Sequence, residues 1–199
     1  MYIFVIKNMN MLKVGLTGNR FSGKNKVCDL FKSISIPIFD ADVCINYLLC
    51  HNFEFKTKVD TKMSNFFDSS NINTSSLDNA IDIIQDEIFN LYEKYCKRNK
   101  HSPYIIFKSS ILFERCWNHK FDLTINVYAP INQRIERCKN KTGLSYSEIY
   151  EYSNSEILDE QKNISSDFVV HNYNGCPDIY HSINEIDTKI IDHYLNLNK

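Results

Sequence analysis

The residues best equipped for chemistry stand near the start of the chain. Gly18-Asn19-Arg20-Phe21-Ser22-Gly23-Lys24-Asn25 has the spacing G-x-x-x-x-G-K. Two glycines allow a sharp turn, so that successive backbone N–H groups face one concavity, and a lysine ammonium adds a full positive charge. That chemistry is phosphate binding. A helix beginning near Lys24 would aim the positive end of its dipole at the same point. A chance match in a loop is the alternative; the strand and helix that the sequence places around the loop are the context the motif requires. The position after the lysine ordinarily carries Ser or Thr, whose hydroxyl coordinates the Mg²⁺ on the phosphates. Here it is Asn25. An amide oxygen is also a hard donor, but it reaches one atom further. The sequence therefore supports phosphate binding more strongly than magnesium-dependent catalysis.

Asp40-Ala41-Asp42 is the second constellation. One carboxylate could take a proton from an attacking hydroxyl, and the other could hold metal-bound water. Either could instead be the N-cap of the next helix, a position where Asp is favoured.

These groups need elements that bring them to one place. Leu12 to Thr17 is a short apolar run that predicts a buried strand, and Val27, Leu30, Phe31 and Ile34 have helical spacing. Ile36 to Asp40 predicts a second strand, with Pro37 near its start, followed by a helix over Ala41 to Leu49. His51 to Asn73 predicts a helix and then a loop rich in Ser and Asn. Leu77 to Asn99 predicts a long helix, with Ile81, Ile84, Ile88, Leu91 and Tyr95 on one stripe. Strands follow at Tyr104 to Phe107, Phe121 to Tyr128 and Asp167 to Val170. Helices are predicted at Ile131 to Cys138 after Pro130, over Ser145 to Lys162, and from Pro177 towards Leu195. Strands alternating with helices indicate an α/β fold with a mostly parallel sheet. In such a sheet ligands bind beyond the carboxyl ends of the strands, which is where the glycine loop and the Asp pair both fall.

Composition narrows the function classes. A chain of 199 residues with 43% hydrophobic and 24% charged residues is expected to form one globular domain, 1–199. The net charge of −1 and pI of about 6.6 argue against nucleic acid or an acidic membrane as a partner held by bulk charge. Three of the five glycines, Gly15, Gly18 and Gly23, fall at the phosphate loop. The seven cysteines show no paired or zinc-ligand spacing, so reduced thiols in the cytoplasm are expected. No apolar run approaches the ~18 residues of a membrane span, and Met1 to Lys7 is too short for a secretory signal.

With these residues in place the chain resembles the dephospho-CoA kinases. Gly15-Leu16-Thr17-Gly18, Ser22-Gly23-Lys24, Leu30-Phe31 and Ile36-Pro37-Ile38-Phe39-Asp40-Ala41-Asp42 are similar to that family's N-terminal segment. Ile111-Leu112-Phe113-Glu114 is similar to its P-L-L-F-E segment, Gln133-Arg134-Ile135 and Arg137 to the helix entering its lid, and Asp167-Phe168-Val169-Val170-His171-Asn172 to its D-Y-V-I-D-N strand end. The resemblance implies a three-layer P-loop fold: a five-stranded parallel core over about 12–50 and 102–199, a helical CoA-binding insert over about 51–100, and a lid over about 139–164. It implies transfer of the γ-phosphoryl of ATP, with Mg²⁺, to the ribose 3′-hydroxyl of dephospho-CoA. Asp42 would be the base, with Asp40 supporting it and Lys24 on the phosphates. Gly18, Asn19, Arg20, Phe21, Ser22, Gly23, Lys24 and Asn25 would cradle ATP, and Asn172 or Asn174 would lie near the adenine. Arg137 and Lys141 would reach the phosphates from the lid, and Asn25 and Asp40 are the candidate metal ligands.

Several charged positions of that pattern differ. Asn46 stands where the family has an Arg after Asp-Ala-Asp, Asn73 and Thr74 replace an Asp-Arg pair, and Tyr152 and Glu156 stand at lid positions that are often Arg or Gln. Arg20, Lys26 and Lys108 could supply charge from new positions. Two alternatives follow: a nucleoside or nucleotide kinase of the same fold, or a nucleotide- or CoA-binding pseudo-kinase without turnover.

Overall fold

The computed structural model describes residues 10–67, 74–143, 156–175 and 178–198. Five strands form one sheet: β1 (Leu12–Thr17), β2 (Ile38–Asp40), β3 (Tyr104–Lys108), β4 (Leu123–Tyr128) and β5 (Phe168–His171), in the order β2–β3–β1–β4–β5. Leu12 stands opposite Tyr104 and Leu16 opposite Lys108; Val14 faces Leu123, and Tyr128 faces His171. These pairings are all parallel. A central parallel strand is covered on both faces, which is why β1 and β3 are mostly apolar and are buried almost throughout. β2 joins where the Ile106 N–H donates to the Pro37 carbonyl at 3.0 Å. It starts two residues later than the sequence predicts, because Pro37 has no N–H to give to a ladder.

Seven helices lie among the described residues: α1 (Lys24–Ser33), α2 (Ala41–His51), α3 (Phe53–Phe67), α4 (Thr74–Arg98), α5 (Ile131–Thr142), α6 (Asp159–Ser165) and α7 (Ile179–Leu197). The chain divides into two compact units, residues 1–38 with 99–199 and residues 39–98. In the first, α1 and α7 bury stripes at helical spacing, Val27, Leu30 and Phe31 on one and Ile179, Ile183, Ile186 and Ile190 on the other. Both stripes join one core with Leu16, Ile106 and Ile125 of the sheet. In the second unit α2, α3 and α4 pack on one another, with the Phe39 ring 5.4 Å from that of Tyr92 and 5.6 Å from that of Tyr95. Asn52 divides α2 from α3: its backbone leaves the helical region, and its Oδ1 accepts the Phe55 N–H at 3.0 Å.

Two expectations change. The polar helix expected over Ser145 to Lys162 falls partly outside the described residues; Glu156 to Leu158 are not helical, and α6 begins only at Asp159. The reason lies in the site, where these residues face other partners. The last helix starts at Ile179, capped by Asp178, whose carboxylate accepts the Tyr180 N–H at 3.0 Å; Pro177 lies outside the described residues.

Candidate active site

The phosphate loop runs from the end of β1 to the start of α1. Gly23 is the N-cap of α1, with φ of 100°, so the helix begins at Lys24 and its first free N–H groups open into the loop. That conformation is left-handed, and a Cβ at Gly23 would overlap Nδ2 of Asn172. Gly18 is held by a neighbouring backbone: a Cβ there would overlap the Val127 carbonyl oxygen and lie 2.7 Å from Ser22 Oγ. Between them Phe21 has φ of 60°, an uncommon value for an aromatic residue. Its ring packs on Ile135 and Cys138 of α5, and that burial offsets the strain.

The loop is braced from below and from the side. The Asn172 Nδ2 donates to the Ser22 carbonyl at 2.7 Å, and the side chain is buried. Arg137 of α5 donates from Nη1 to the carbonyls of Phe21 and Ser22 at 3.2 Å each, and from Nη2 to that of Asn172 at 2.7 Å. One guanidinium thus ties two loop carbonyls to the end of β5. The Lys24 Nζ lies over the loop, donating to the carbonyls of Gly18 at 2.7 Å and Asn19 at 3.3 Å. Asn25 and Arg20 are exposed beside it. The Asn172 amide and the Arg137 guanidinium, expected at the adenine and the phosphates, thus both donate to carbonyls of the loop or beside it. Lys141 is exposed in the last turn of α5, and Asn174 is exposed with its N–H on Gln133 Oε1 at 3.0 Å.

On its other flank the loop meets residues the sequence did not single out for this purpose. Arg134, 4% exposed, donates from Nη1 to Glu156 Oε2 and from Nη2 to Asp159 Oδ2, both at 3.0 Å. Glu156 Oε1 accepts the Arg20 N–H, and the Asn19 Nδ2 donates to Asp159 Oδ1 at 2.9 Å and to the Ile157 carbonyl at 3.0 Å. Further along α6, Lys162 is fully buried with its Nζ 2.6 Å from Glu114 Oε1. That gives Glu114 a physical place in the fold. No local pattern announces any of these pairs, since the partners lie 22 to 140 residues apart.

The second unit holds the Asp pair. Asp40 is the N-cap of α2, its Oδ1 accepting the Val43 N–H at 3.1 Å, so the capping role describes it directly. Asp42 is half-buried in the first turn, where a helix dipole favours a carboxylate anion. Burial, and then the Asp40 charge, push the Cys44 thiol above its ordinary pKa, which favours the less nucleophilic protonated form.

A five-stranded parallel sheet with a glycine loop and lysine between β1 and α1 defines a P-loop nucleotide-binding fold. The comparisons narrow the class. The dephospho-CoA kinase family model matches residues 67–178, more than half of the chain, and the chain belongs to that family of phosphotransferases in CoA synthesis. The matched stretch begins after the phosphate loop, so the loop is an independent observation. A dephospho-CoA kinase of Chlamydia felis is 28% identical over 193 residues, covering 89% of this chain and 95% of that one. One of Zymomonas mobilis is 22% identical, covering 81% and 88%. A solved Thermus thermophilus protein superposes with a TM-score of 0.74 at 20% identity, over 92% of this chain and 98% of its own. The dephospho-CoA kinase of Campylobacter jejuni superposes at 0.58 with 16% identity, over 89% and 96%. Kinase membership implies ATP as phosphate donor and a small-molecule acceptor. Among the described residues no helix is long and apolar enough to cross a membrane.

Proposed function

We propose that the chain transfers the γ-phosphoryl group of ATP to the ribose 3′-hydroxyl of dephospho-CoA. The observation that carries this reading is the braced phosphate loop at the head of α1 in a chain of this family. The backbone N–H groups of Gly18 to Asn25 and the Lys24 ammonium bind the phosphates, and phosphate displaces the loop carbonyls that Lys24 now contacts. Exposed Arg20 and Lys141 add positive charge. Asp42 takes the proton of the attacking hydroxyl; it stands in the first turn of α2, and the Asp40 cap holds that turn. Little covalent work falls to the protein, so positioning and charge supply most of the rate. The Asn25 amide oxygen and the Asp40 carboxylate are each hard oxygen donors, the type Mg²⁺ prefers. Mg²⁺ on the phosphates would neutralise charge as it develops. The six described cysteines are all free thiols, which suits a reducing cytoplasmic location.

The test is incubation with ATP, Mg²⁺ and dephospho-CoA, with the product identified by mass. Formation of CoA is expected. Transfer only to a nucleoside or nucleotide would move the assignment to that acceptor class. A second reading, nucleotide binding without turnover, is favoured by Asn25 in place of a hydroxyl; binding of ATP with no transfer to any acceptor would establish it.

A further inference from the structure

We infer that Arg134, with Glu156 and Asp159, is a positioning device for the phosphate loop, setting nucleotide affinity without touching the nucleotide. The inference rests on the reading that this loop binds ATP. Its basis is a closed set of bonds. The Arg134 guanidinium spans two carboxylates, one oxygen of each, and its Nε is held by the Ala129 carbonyl at 3.1 Å. The second oxygen of each carboxylate returns to the loop: Glu156 Oε1 accepts the Arg20 backbone N–H, and Asp159 Oδ1 accepts the Asn19 side-chain amide at 2.9 Å. Arg134 Nη1 also reaches the Arg20 carbonyl at 3.3 Å. Both peptide groups of Arg20 are therefore held from one point, and residues 19 and 20 cannot rotate unless charge-assisted bonds break.

Arg134 could instead be a phosphate ligand, and the surroundings argue against it. Its side chain is 5% exposed. The cavity of ≈ 600 Å³ that opens against it is lined by Glu156, Asp159 and Glu160, with no second cation. Three carboxylates around one paired guanidinium repel phosphate. The arrangement also explains why Glu156 to Leu158 are not helical. A helix there would carry the Glu156 carboxylate and the Ile157 carbonyl away from Arg20 and Asn19. The two braces divide the loop: Arg137 and Asn172 hold Phe21 and Ser22, while Arg134 and its acids hold Asn19 and Arg20.

The experiment is calorimetric titration with ATP and, separately, with dephospho-CoA, on the wild-type chain and on Arg134→Met, Arg134→Lys and Glu156→Gln. Affinity needs no turnover, so a wild-type chain that binds ATP without transferring phosphate overturns the proposed reaction and leaves this result intact. Loss of bonds to a charged group predicts about tenfold weaker ATP binding for Arg134→Met, and dephospho-CoA affinity within about twofold of wild type. Arg134→Lys keeps the charge but not the fork and should recover part of the loss. Glu156→Gln keeps the Asp159 pair, so it decides the matter should Arg134→Met not fold; it is expected to weaken ATP by about threefold or more. Unchanged ATP affinity in a folded Glu156→Gln chain, or equal losses for both ligands, would overturn the inference.

Discussion

At the scale of single residues, the candidate site depends on positions where little else can stand. Gly23 combines a left-handed φ of 100° with a space already filled by the Asn172 amide. Gly23→Ala should abolish measurable ATP binding. Adding Asn172→Ala should recover only a part, because it removes the overlap but not the backbone strain; titration of the single and double variants checks this. Full recovery would show that φ at this position costs nothing. Asp42 is tested by chemistry rather than space. Asp42→Asn removes the base and leaves the Asp40 cap in place, so kcat for dephospho-CoA should fall by about 10²–10⁴ with little change in the KM for ATP. Steady-state kinetics decide it, and an unchanged kcat would remove Asp42 from the mechanism.

At the scale of elements, α6 is held chiefly by charges. It has seven residues, too few to be stable in isolation, and it packs on β4 with Asn126 Nδ2 donating to Asn163 Oδ1 at 2.7 Å. Lys162 is buried in it against Glu114. Removing one partner of a buried pair leaves an uncompensated charge, at a cost of about 3–5 kcal/mol, whereas replacing both is nearly neutral. Lys162→Met should therefore lower the melting temperature by roughly 10 °C at 2–4 °C per kcal/mol for a chain of this size. Lys162→Met combined with Glu114→Leu should regain most of that. Thermal unfolding followed by circular dichroism measures both, and a double variant no more stable than the single would show that packing, not charge, governs the site.

At the scale of the whole molecule, the core carries a buried phenol whose ionisation couples to folding. Tyr104 of β3 is fully buried and donates to Asp187 Oδ1 of α7 at 2.6 Å. Burial first, and then the hydrogen bond and negative charge of Asp187, hold the phenol far above its ordinary pKa of 10.0. The folded chain therefore keeps this proton at a pH where the unfolded chain loses it. The stability contribution is fully present below pH 10 and is lost as pH rises above it, by up to about 1.4 kcal/mol per unit. Denaturant unfolding between pH 9 and 11 should show that decline. Tyr104→Phe should be less stable at neutral pH, through the lost bond to Asp187, yet decline less steeply above pH 10.

The sequence by itself determined the alternation of strands and helices, the parallel sheet, the phosphate loop with its lysine, and the Asp pair beyond β2. All of these rest on local order: apolar runs, helical spacing, glycines where the backbone must turn, and carboxylates at a helix start. Its errors share a cause. Glu156 to Leu158 look helical in composition but leave the helix because Arg20 and Asn19 claim their carboxylate and carbonyl across the fold. Nothing in the sequence around Asn172 marks that its amide donates to the Ser22 carbonyl, 150 residues away. Glu114 and Lys162, or Arg134 and Asp159, carry no mark of their pairing. Only the tertiary structure decided which polar groups hold the loop. Hydrogen-bond partners are chosen by proximity in space, and desolvation compels each buried charge to find one, however far along the chain it lies.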